Sequence, residues 1–281
     1  MIQILYILCV VAASCSLMGS LLLERESLMV ADAISHTILL GIVVAYYFVD
    51  DLSSPWLIIG ATLFGVLTVV AIELLVRTGR VANDAAIGIV FPFFFAVAVI
   101  IISKYYSNVH LDIDMVLLGQ VEFAPLNRME FFGFSLPVAF FQGLLVLGLN
   151  LGFILLAYRA LKIRLFDVVF AKAVGIKVSL LDLLLMTLVS LTAVSSFESI
   201  GSILVIALMA APAMTARCLT KHFAMTLVYS VLIALVNCTI GYYAALSLNT
   251  SISAMVAVVS FITFMLVFIL TRLLLSQKAT A

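Results

Sequence analysis

Nine apolar stretches of about membrane-spanning length follow one another along the chain, and they leave few alternatives for its fold. A helix that crosses a bilayer needs about 20 consecutive, mostly apolar residues. Stretches of this kind fall at 2–23, 28–49, 55–76, 85–103, 134–158, 178–197, 200–216, 223–247 and 252–275. The sixth and seventh are separated only by "FES", Phe197 to Ser199. That pair reads either as two spans or as one broken, re-entrant element, so eight or nine spans are expected. With 66% of the 281 residues hydrophobic and 10% charged, the composition departs far from the roughly 25% charged of soluble domains. The expected fold is all-α: a polytopic integral membrane helix bundle forming one transmembrane domain over 1–281. Its net charge of zero gives no reason to expect a nucleic-acid partner.

Charge asymmetry tests the span count. If the N-terminus is outside and nine spans alternate, twelve of the fourteen Lys and Arg residues fall on the cytoplasmic side, and only Lys104 and Arg128 fall outside. This is the bias that orients membrane proteins. Asp50, Asp51, Asp112, Asp114, Glu122 and Glu130 fall in the outer segments. The longest pieces between spans are 104–133 outside and 159–177 inside. Cys9, Cys15, Cys218 and Cys238 lie in apolar runs without paired spacing and read as buried hydrophobes.

Charged side chains cost at least about 2.5–3.5 kcal/mol at the centre of a bilayer, so those inside the spans need a reason. Glu73 has Arg77 four residues on, which makes a structural pair. Asp182 lies one turn into its span, beside the basic loop that ends at Lys177. Asp32 and His36, in "LMVADAISHTILLGI", have no Lys or Arg nearby in sequence. Their spacing puts carboxylate and imidazole on one helix face, about 12 Å into the bilayer for His36 if the span starts near Leu28. A hard oxygen with an imidazole suits Mn²⁺, Zn²⁺ or Fe²⁺. A hydrogen-bonded clamp between helices is the alternative. His110, in "NVHLDID", reads as part of a solvated polar loop. Glu198, in "SSFESIG", stands at the outer mouth of the close pair, either as a gate or as a helix cap. Pro92 and Pro212 lie inside spans, where each frees a carbonyl and kinks its helix.

A pump needs an energy source, and no GxxxxGK[ST] phosphate loop occurs in the chain. The inner segment "LKIRLFDVVFAKAVGIKVS" is basic and carries Phe166, Val169, Phe170 and Ala173 at i, i+3, i+4 and i+7. That spacing makes a short helix with one apolar face, suited to docking in a partner's groove or to lying on lipid.

Four stretches together make the chain resemble the membrane subunits of manganese, zinc and iron ABC importers, the ABC-3 metal permeases. They are "ERESLMVADAISHTILLGI" (24–42), "NDAAIGIVFPFFFAVAVIIIS" (83–103), "IRLFDVVFAKAVGI" (163–176) and "SIGSILVIALMAAPAMTA" (199–216). The resemblance implies a permease in the bacterial plasma membrane that is not itself an enzyme and holds no permanent cofactor. It implies three partners: cytoplasmic ATP-binding subunits, an extracytoplasmic metal-binding protein and a second permease subunit, identical or related. It puts Asp32 and His36 on the metal path and makes Phe166, Asp167, Ala171 and Gly175 candidates for contact with the ATPase. The chain departs from the pattern at "MVLLGQVEF" (115–123), and "NTSISAMV" lacks the Asp that often precedes the last span. Manganese is the expected cargo, since no cysteine accompanies the pair. A transporter driven by an ion gradient is the competing function.

Overall fold

The computed structural model describes residues 2–49, 54, 56–105, 121, 128–131 and 134–280, without the side chains of Ile2, 129–131, 134–136, Glu198 and 274–280. Among these residues, nine helices are long and apolar enough to cross a membrane. In chain order they are α1 (Ile2–Glu24), α2 (Met29–Val49), α3 (Trp56–Arg77), α4 (Asn83–Tyr105), α5 (Val138–Phe166), α7 (Val178–Ile200), α8 (Ser202–Leu219), α9 (Phe223–Leu248) and α10 (Ile252–Thr280). The short α6 (Val168–Ala173) lies between α5 and α7. One antiparallel ribbon, β1 (Arg128–Phe131) with β2 (Phe134–Pro137), pairs Arg128 with Pro137 and Phe131 with Phe134.

Helix α1 is the axis of the bundle and packs on α5, α7, α8 and α9. Its core positions include Ile7, Leu8, Met18, Leu21 and Leu22, all fully buried. Lipid tails are as apolar as leucine, so helix association inside a membrane rests on close approach and interhelical hydrogen bonds. Both are present. Ser20 donates to Ser230 on α9 at 2.8 Å, and Asn150 on α5 donates to Ser14 at 2.8 Å and to Thr192 at 2.9 Å. Helices α2 and α3 touch so closely that a Cβ on Gly41 would lie 2.6 Å from the Gly60 carbonyl oxygen. Thr68 donates to Thr37 across the same seam at 2.8 Å. Helix α4 packs on α2 and α3 and keeps most of its surface exposed.

The close pair of spans is two full helices. Gly201, at φ 78° and ψ 158°, takes a backbone conformation that is nearly glycine-only, and it separates α7 from α8. Arg25, just past the end of α1, reaches Asp182 in the first turns of α7 at 3.7 Å. Glu24, at the end of α1, reaches Arg217 in the last turn of α8 at 3.2 Å. The start of α7 and the end of α8 therefore meet the same end of α1, so both helices traverse the bundle in opposite senses. This is the basic end. Gln3, accepting from Arg128 at 3.0 Å, places the ribbon at the far end.

Two boundaries differ from expectation. The fifth span starts at Val138 rather than at residue 134, because 134–137 pair in the ribbon. It then runs through Arg159, Lys162 and Arg164 to Phe166, so the 159–177 loop is mostly helix. Leu161 is fully buried there while Arg159 and Lys162 turn outward, an amphipathic pattern that carries the helix on past its apolar stretch.

Candidate metal pair and docking helix

Helix α1 ends in a double turn in which Glu26 N–H donates to Leu23 O at 3.0 Å and Ser27 N–H to Leu22 O at 2.9 Å. Glu26 adopts φ 59° to close it, an uncommon conformation for a residue with a Cβ. The chain then re-enters as α2, with Asp32 in its first turn, where a carboxylate favours the positive end of the helix dipole. His36 follows one turn deeper. Since Thr37 is level with Thr68, Asp32 lies about 7 Å nearer the basic end than that hydrogen bond.

The pair is half open, His36 with 34% and Asp32 with 41% of its side chain exposed. His36 Nε2 stands 3.6 Å from Asp32 Oδ1. That is too long for a hydrogen bond between the two side chains. Two metal–ligand bonds of about 2.1 Å each reach across such a gap to one shared cation. Among the described residues no Lys or Arg forms an ion pair with Asp32, and no cluster of three or more His, Cys, Asp or Glu surrounds the site. The pair therefore offers two donors and leaves the remaining coordination positions to other groups.

Helix α4 closes one side. Phe91 stacks on the imidazole at 5.4 Å between ring centroids and an interplanar angle of 27°, and Phe95 meets it edge-on at 5.9 Å. Both rings come from "FPFFF", where Pro92 lies inside α4. Phe91 and Phe95 are four apart, so a common face was legible, but the partner it meets was not.

The other intramembrane acids are neutralised in a different way. Glu73 accepts from Arg25 at 2.5 Å and holds Arg77 only at 3.6 Å, so the sequence-adjacent pair is the weaker one. Asp182 is gripped by Arg164, whose Nη2 donates to Oδ2 at 2.9 Å and whose Nε lies 2.6 Å from Oδ1. Asp182 is thus met by Arg164 of α5 and by Arg25 just past α1, not by the adjacent loop that ends at Lys177. Nothing in local spacing could pair residues 25, 73, 164 and 182.

At the same end, Asp167 caps α6 by accepting from the N–H groups of Val169 at 2.8 Å and Phe170 at 3.0 Å. Gly175, at φ 86°, closes it, with Gly175 N–H donating to Lys172 O and Ile176 N–H to Ala171 O. Phe166, 94% exposed, stands outward together with Val169, Phe170 and Ala173. Ala171 is fully buried and anchors the helix. Of the four residues expected at a docking surface, then, Phe166 faces out, Asp167 and Gly175 shape the helix ends, and Ala171 faces in. Glu198 falls in the last turn of α7 at the far end, and its side chain lies outside the described residues, as do His110, Asp112 and Asp114.

Comparison with known proteins agrees with this architecture. The chain is 43% identical over 248 residues to the manganese transport system membrane protein MntD of Bacillus subtilis, covering 88% of this chain and 84% of that one. It is 40% identical over 268 residues to the zinc transport system membrane protein TroD of Treponema pallidum, covering 95% and 73%. The structure superposes on PsaBC from Streptococcus pneumoniae, solved in complex with Fab, with a TM-score of 0.77 at 25% identity, covering 95% of this chain and 90% of that one. The model of the ABC 3 transport family matches residues 1–271, and the chain belongs to that family: it is a multi-span membrane permease.

Proposed function

We propose that this permease forms the path for a divalent transition metal, with manganese as the favoured cargo, in an ATP-driven importer of the bacterial plasma membrane. The observation that carries the reading is the half-open Asp32–His36 pair, an uncompensated carboxylate beside an imidazole in a helix that is otherwise apolar. A carboxylate and an imidazole together bind Mn²⁺, Zn²⁺ or Fe²⁺. The manganese transport name of MntD favours the first, and the zinc transport name of TroD keeps the second in play.

Two donors hold a cation weakly, which suits a path that must release its cargo. Water completes the shell, or the matching pair of a second permease copy does so across a two-fold axis. Phe91 and Phe95 exclude water from one side of His36 and fix its ring plane. At the basic end, Phe166 at the end of α5 and Val169 and Phe170 of α6 face the groove of a cytoplasmic ATPase. An extracytoplasmic binding protein delivers the ion at the far end. Arg164 and Asp182 tie together the two helices that flank α6, so movement imposed on α6 is passed to α5 and α7 as a unit.

The test is accumulation of labelled Mn²⁺ and Zn²⁺ in cells carrying the permease with its ATPase. Asp32→Ala and His36→Ala are compared with wild type at matched protein levels. Uptake of the cargo metal falls to background in both. Undiminished uptake would move the path elsewhere in the bundle, and uptake that survives an inactive ATPase would restore the gradient-driven function.

A further inference from the structure

A cavity of about 180 Å³ opens between α3 and α7 at the basic end. Glu73, Arg77, Ser179 and Asp182 supply its polar lining. A second, larger space of about 520 Å³ follows the same seam toward the far end, along Ile59, Leu63, Leu67, Thr187 and Leu191. Val66 and Val70 line both, so the two spaces adjoin: a charged head and an apolar tail. From Val70 to Ile58 the seam runs about 18 Å at helical rise, close to the roughly 15 Å depth of one leaflet of a hydrocarbon core.

Charge decides what the head accepts. Around it, Arg25, Arg77 and Arg164 meet Glu73 and Asp182, so three guanidinium groups face two carboxylates. Arg25 and Arg164 are spent on those acids at close range. Arg77 is 66% exposed, with only a 3.6 Å contact to Glu73, and keeps most of its donors for another anion. Across the cavity stands the N-terminus of α7, where Ser179 lies in the first turn and the N-cap residue Lys177 makes no side-chain cap bond. An uncapped helix start facing an arginine is a site for phosphate oxygens. Arg80 and Lys177, both exposed on the adjoining turns, add positive charge at the rim.

We propose that the α3–α7 seam is a binding site for one phospholipid of the leaflet at the basic end, its phosphate held by Arg77 and the start of α7 and one acyl chain lying along Val70, Leu67, Leu63 and Ile59. The proposal rests on the membrane-spanning reading and not on the identity of the metal. The site touches Glu73 and Asp182, so its occupant adjoins the ion pairs that tie α1, α3, α5 and α7 together.

The permease is isolated with its ATPase from nanodiscs of mixed phosphatidylethanolamine and phosphatidylglycerol, and lipid retained through a detergent wash is counted by native mass spectrometry. Wild type retains one phospholipid per permease copy, enriched in the anionic species. Arg77→Gln, at an exposed position, lowers retention about tenfold, the loss of one charge-assisted hydrogen bond. Val66→Trp, which fills the junction of head and tail, lowers it to background. Asp32→Ala abolishes metal uptake and leaves lipid retention unchanged, so the two readings fail separately. Equal retention in wild type and Arg77→Gln overturns the site. So does retained phosphorus that extracts as inorganic phosphate, or a Val66→Trp variant that splits a two-copy permease with its lipid intact, since the seam is then an interface between copies.

Discussion

Asp32 and Asp182 each lie about one turn into an apolar helix at the same end of the bundle, and they have opposite fates. Asp182 is 15% exposed and meets Arg164, 11% exposed, in a two-point contact, with Arg25 behind it. Asp32 is far more open and, among the described residues, has only an imidazole beside it at 3.6 Å. A charge that is desolvated needs a permanent partner, and removing that partner exposes the full desolvation cost. A charge left half-solvated tolerates the absence of one and can take a passing cation. The difference separates an acid that holds the bundle together from one that, in the proposed function, meets the cargo.

The sharpest break of this contrast is Arg164→Ala. It strands a buried carboxylate and should destabilise the detergent-solubilised protein by about 3–5 kcal/mol, read from thermal or denaturant unfolding. The double variant Arg164→Met/Asp182→Leu should recover most of that loss, because the buried charges are removed together. Next in size is Phe91→Leu, which removes the ring stacked on His36. It should cost about 0.5–1.5 kcal/mol and appear in the concentration dependence of metal uptake as well as in unfolding. The smallest effect on stability belongs to Asp32→Asn, within about 0.5 kcal/mol of wild type, while uptake is lost. A destabilisation like that of Arg164→Ala would make Asp32 a structural acid after all. Glu73 offers an internal control: Arg25→Ala should destabilise far more than Arg77→Ala, whose exposed contact contributes about 0–1 kcal/mol.

The candidate site was legible in part. Asp32 and His36 stood out because a carboxylate and an imidazole four residues apart in an apolar helix are costly and must share a face. The helix after Phe166 was readable from its i, i+3, i+4, i+7 spacing, and Asp167 and Gly175 are the residue types that start and stop such a helix. Sequence could not show that Ala171 turns inward, because a six-residue helix has too few turns for its faces to be assigned without knowing what it packs on. Nor could it find Phe91 as the cover of His36, since those residues lie 55 positions apart on different helices.

What the sequence determined alone was the membrane, the helices and the polarity of the charges. Backbone groups in lipid must be satisfied within each segment, so twenty apolar residues force a helix whatever surrounds it. Packing separated nine spans from eight and set which arginine serves which acid. It alone set the cavity at Arg77 beside the groove along α3. Those outcomes depend on which helices become neighbours, and a local pattern carries no information about the distance from Arg25 to Glu73 or from Glu24 to Arg217.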